Sequence, residues 1–151
     1  MNSVYKMLKE FKKKYPTTLM WRIKKHAKVI EKHLNPGETL NYAFAAQKGY
    51  SSMDFFSTFV VALTNKRIIL AQKRLFFGYT YLSVTPDMFN DLTVTSGIIW
   101  GKVYIDTVKE TMILSNISKH ALDDIETEIT EYMMKEKKLY QENENKSAKS
   151  Q

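Results

Sequence analysis

Residues 59–73 read "FVVALTNKRIILAQK", two apolar runs separated by the polar knot Thr64-Asn65-Lys66-Arg67. Each run is short and apolar at almost every position, the pattern of a strand covered on both faces rather than one with a wet side. Asn65-Lys66 fits the centre of a two-residue hairpin, where Asn tolerates the positive φ of a type I′ turn. The knot therefore reads as the turn that sets strand register, not as a basic recognition loop.

Outward from this hairpin strand-like runs continue in both directions. Upstream, Leu40, Tyr42, Phe44 and Ala46 alternate with polar or small residues and predict a strand over 39–47. With 57–64 and 67–73, further runs at 78–84, 90–96, 98–106 and 110–115 bring the expected strands to seven. From Lys119 to about Lys138 the period becomes helical, with Leu122, Ile125, Ile129, Tyr132 and Met133 on one face. Acids fill its first turns and lysines its last, in the order that complements a helix dipole. The remainder, "QENENKSAKSQ", is expected to be a disordered polar tail.

Upstream of the first strand, Asn35-Pro36-Gly37-Glu38 is turn chemistry and marks a boundary. Before it lie ten Lys or Arg against two acids in residues 1–34, a local +8 in a chain of net charge +7. Val4, Met7, Leu8, Phe11 and Tyr15 form one helical stripe ended by Pro16; Thr17 or Thr18 would cap a second helix running to about Leu34. The second helix would carry Trp21, Lys25, Lys28 and Lys32 on its outer face. That face reads either as solvated lysines with Trp21 folded back, or as a docking surface for anionic lipid or acidic partners.

Seven strands and a closing helix, with "LTNKRIIL" (63–70) and "DLTVTSGIIWGKVYI" (91–105), resemble the bacterial pleckstrin-homology-like domains, in particular the YokE-like group. The resemblance implies an α+β fold: a seven-stranded β-sandwich or partly open barrel capped by a C-terminal helix, here preceded by the basic helical hairpin. It also implies a non-enzymatic module with a tendency to self-assemble. The expected organisation is a hairpin over 1–35, the PH-like domain over 36–140 and the tail over 141–151. The Lys-x(n)-Lys-x-Arg pattern of lipid-binding eukaryotic PH domains is missing, because only Lys48 precedes Lys66 in the first two strands. No phosphoinositide site is carried over.

Chemistry-bearing patterns are sparse. With no cysteine there is no disulfide, thiolate zinc site or cysteine nucleophile. His26 and His33 are seven apart, not the i, i+4 of a helical zinc pair, and with His120 they read as surface or half-buried side chains. Phosphate-cradling glycine loops and nucleophile elbows are absent, so no cofactor, metal or catalytic residue is assigned. Nor does any recognition helix, zinc finger or RNP motif point to nucleic acid. The start lacks an uninterrupted apolar stretch, so a cytoplasmic protein is expected, with a peripheral place at the membrane as the alternative.

Two aromatic dipeptides complete the candidate site. In an up-and-down meander, Phe55-Phe56 between strands one and two and Phe76-Phe77 after Lys73-Arg74 emerge at one end of the sheet. They would either plug that end or form an apolar, basic-edged rim for lipid or another subunit. The non-alternating runs "FVVAL", "RIILA" and "GIIWG" further require a cover for the outer sheet face: the hairpin for part, and a second copy against Ile98, Trp100 and Tyr104 for the rest. Function is thus expected to be a self-associating protein-interaction module, with anionic-lipid binding as the alternative.

Overall fold

The computed structural model describes residues 3–49 and 55–150. Two helices, α1 (Val4–Lys14) and α2 (Ile23–His33), precede seven strands: β1 (Leu40–Lys48), β2 (Thr58–Thr64), β3 (Ile68–Lys73), β4 (Tyr79–Val84), β5 (Phe89–Ser96), β6 (Trp100–Thr107) and β7 (Thr111–Ser118). A 3-10 turn then leads into α3 (Leu122–Lys149). The strands form one antiparallel sheet in the order β4-β3-β2-β1-β7-β6-β5, curled into a half-barrel. It is the partly open barrel of the two forms expected.

The concave side encloses the main core. Phe44, Val61, Leu63, Ile68 and Leu70 face Val103, Ile105 and Leu114 across it, and Leu122, Ile125, Ile129 and Met133 of α3 fill the space between. On the convex side of β1, β2 and β3 the residues are small: Ala43, Ala45, Ala62 and Ala71, with Val60 and Ile69. This low relief lets α1 and α2 lie close, burying Val4, Leu8, Ala27 and Ile30 completely. Strand β2 is consequently buried at all seven positions. The hairpin is therefore the cover that "FVVAL" and "RIILA" call for.

Strand β1 pairs with β7 only at Gln47↔Ser115 and Lys48↔Leu114, so the sheet splits along the rest of β1. A register shift against β6, with Asn116 in the left-handed region at φ 58°, turns β7 away. The chain between the helices fills the split. Leu19 N–H donates to the Asn116 carbonyl at 3.0 Å, Ser118 N–H to the Thr18 hydroxyl at 2.9 Å, and the Trp100 indole to the Thr17 carbonyl at 2.6 Å. Phe11 and Tyr15 insert through the same gap into the main core.

This corrects four local expectations. Thr17 and Thr18 do not cap α2, because the Trp100 indole of β6 takes Thr17 and the unpaired edge of β7 takes Thr18; α2 begins at Ile23 behind Arg22, and Trp21 lies in the connection rather than on a helical face. Ile98 lies in the β5–β6 turn and not on the face of β6, where Trp100 and Tyr104 remain. The segment 141–149 continues α3, as its Glu, Gln, Lys and Ala content allows, exposed on every side. The fourth concerns the knot. Asn65 and Lys66 do not have positive φ, so the turn is not type I′.

Thr64 explains the alternative. Its hydroxyl accepts from the N–H groups of Lys66 and Arg67, each at 3.1 Å, and donates to Glu38 at 2.7 Å. Arg67 grips the same buried carboxylate with Nε and Nη2, at 2.8 and 3.0 Å, and reaches the His33 carbonyl at 2.9 Å. Burial pushes the Glu38 carboxyl up, but Arg67, the Asn35 N–H and Thr64 outweigh it and hold it at about 2. The knot thus ties the "NPGE" turn and the end of α2 to the sheet.

Candidate functional site

Along the convex face, α2 and the β3–β4 hairpin leave a groove of about 490 Å³ between them. Lys25, Lys28 and Lys32 line one wall, at the spacing that puts them on one side of a helix. Lys73, Leu75, Phe76 and Tyr79 line the other, and Arg22 stands at one end. Among the described residues, five cations and no carboxylate border the groove. Like charges gathered around a concave, partly apolar surface focus a positive potential, which draws in anions.

The hairpin tip is fixed locally. Arg74 N–H donates to the Gly78 carbonyl at 3.1 Å, and Gly78 takes φ 71°, open to glycine at little cost. The tip projects Phe76 and Phe77, 82% and 87% exposed. Its base is tied to α2 through His26, which is wholly buried rather than at the surface or half-buried. Nδ1 of His26 accepts from the Lys73 N–H at 2.8 Å. Burial, with the nearby Arg22 charge, holds its imidazole down at about 4. At the other end His33 stacks on Tyr81, centroids 4.5 Å apart, and its Nε2 lies 3.1 Å from the Tyr79 hydroxyl.

Of the residues singled out in the sequence, the groove joins Lys25, Lys28, Lys32, Lys73 and Phe76. Trp21 and Phe56 form a neighbouring pair, edge to face at 5.2 Å, with the Arg22 guanidinium 5.3 Å from the Trp21 ring. Arg74 and Phe77 occupy the exposed tip outside the groove walls. The side chain of Phe55 lies outside the described residues. The two aromatic segments do share one end of the sheet: Gln72, next to the tip, donates to the Phe56 and Thr58 carbonyls at 2.6 and 3.0 Å. Arg22 was missed, although it precedes Lys25 by three residues and so continues the same line. Leu75, Tyr79 and His33 had no sequence signal, since only the packing of α2 on β3 and β4 brings them in.

A family model for the bacterial PH domain matches residues 34–131. The chain belongs to the bacterial PH domain family. No curated protein matches it. The bacterial PH span begins just after α2, so the groove has one wall inside the family domain and one outside it. Among the described residues no helix is long and apolar enough to cross a membrane.

Proposed function

We propose that this bacterial PH domain is a non-catalytic binding module that docks on anionic membrane surfaces through the α2 groove and the β3–β4 tip. The carrying observation is the conjunction of five groove cations with two phenylalanines, each more than four-fifths exposed, on an adjoining tip. Lysines would sit at the phosphate level while Phe76 and Phe77 enter the acyl boundary, with Trp21 and Phe56 at the half-wet margin. Each lysine near such a surface contributes about 1 kcal/mol.

Vesicle co-sedimentation tests this. Binding to anionic vesicles at low salt, lost at high salt and in a Lys25→Glu/Lys28→Glu variant, is the expected result. An unchanged emission spectrum of Phe76→Trp on addition of those vesicles would refute membrane entry of the tip.

A second reading, the self-associating interaction module, draws on the β5–β6 turn, where Ile98 is 89% and Ile99 49% exposed. Mass in solution over a wide concentration range tests it, and an Ile98→Asp variant should dissociate any oligomer built there.

A further inference from the structure

A second cavity, of about 340 Å³, lies beneath α1, against Asn41, Tyr42 and Ala43 of β1 and beside the start of α3. Phe11, Tyr15 and Tyr42 bring aromatic rings to its lining, beside Met7 and Ala43. Phe11 lies 4.9 Å from Tyr15 and 6.3 Å from Tyr42, centroid to centroid, the second pair edge to face. Glu10 and Asp124 bring carboxylates to the lining, whereas the α2 groove holds cations and no carboxylate among the described residues. The Tyr42 hydroxyl is buried with no hydrogen-bond partner among the described residues, and Asp124 and Glu128 act on it electrostatically.

One cation already occupies this setting. The Lys14 ammonium lies 5.2 Å from the centroid of the Tyr15 ring, over its face, and 2.7 Å from Asp124, to which the Tyr15 hydroxyl also donates. Lys14 is two-thirds exposed on a flexible stem, so it can swing out, leaving Glu10 and Asp124 as the only charges on the lining. An aromatic face and two carboxylates are together the chemistry that recognises an organic ammonium group. We propose that the cavity between α1, the start of β1 and the start of α3 is a binding site for a small organic ammonium cation, whose place is taken by the Lys14 ammonium in the absence of ligand. The site is separate from the membrane-docking groove and stands without it.

Titration of the full chain with choline chloride, followed by the NMR signals of the tyrosine rings, tests this. Lys14→Ala should bind choline about tenfold more tightly than the unaltered protein, because the competing internal cation is gone. Asp124→Asn should weaken binding by a similar factor, and so should Glu10→Gln, an exposed position whose change leaves the packing intact. 3,3-Dimethylbutan-1-ol, the neutral counterpart of choline, should leave the signals unmoved. Equal shifts with the neutral compound, or no gain in Lys14→Ala, would overturn the proposal.

Discussion

The two halves of the sheet solve the same packing problem on the concave side and opposite ones on the convex side. In the N-terminal half the convex residues of β1, β2 and β3 are mostly alanine, and two helices cover them. Across the split, β6 alternates strictly between buried and half-exposed residues, and Thr93 and Thr95 of β5 lie open to solvent. Among the described residues no helix packs on that convex face. A covered face can be apolar and featureless, whereas an open one must carry polar side chains, so the sequence pattern of each half records what lies above it.

The largest expected break in that contrast is Arg67→Ala. Glu38 has a side chain with no exposed surface, and Arg67 is its ion-pair partner. Removing the guanidinium leaves a buried carboxylate and frees the His33 carbonyl, at a cost of about 3–5 kcal/mol by chemical denaturation. In the other half, the turn Thr107–Glu110 repeats the Thr64 device: the Thr107 hydroxyl accepts from the N–H groups of Lys109 and Glu110. The Glu110 side chain is exposed, so Glu110→Ala should cost less than about 0.5 kcal/mol.

Acid should act on the covered half first. The folded value of about 4 for His26 lies below its ordinary 6.5, so the unfolded chain binds more protons between them. Stability is fully present above pH 6.5 and falls as pH drops towards 4, by about 3 kcal/mol in all. Glu38, held at about 2 against an ordinary 4.5, extends the loss below pH 4.5. Denaturation midpoints measured from pH 7 to 4 should show this slope. His26→Asn, which can still accept from the Lys73 N–H, should flatten its upper part.

Strand positions and the α3 stripe were legible because their periods are local properties of the chain. The cover over "FVVALTNKRIILAQK" was legible too, since a doubly apolar strand demands one. The route of Thr17–Leu19 was not. Those residues carry good capping chemistry, and only the bulge at Asn116, some hundred positions away, creates the open edge that claims them. The groove was half legible for the same reason. The lysine spacing on α2 is local, but the opposing wall exists only once the helix has settled on β3 and β4.

A paired substitution measures the contrast between the faces directly. Ala62 is fully buried under the hairpin, while Thr93 is exposed on the open side. Ala62→Leu must lift α2 or push its own side chain off rotamer, costing about 1–3 kcal/mol. Thr93→Leu meets only water and should change stability by less than about 0.5 kcal/mol. The Ala62 variant should also disturb the groove, because the helix that moves carries Lys25, Lys28 and Lys32. Weaker vesicle binding by Ala62→Leu than by Thr93→Leu is then expected at temperatures where both remain folded. Equal binding by the two would mean that the cations act independently of how α2 is seated, and that the groove's shape contributes nothing to docking.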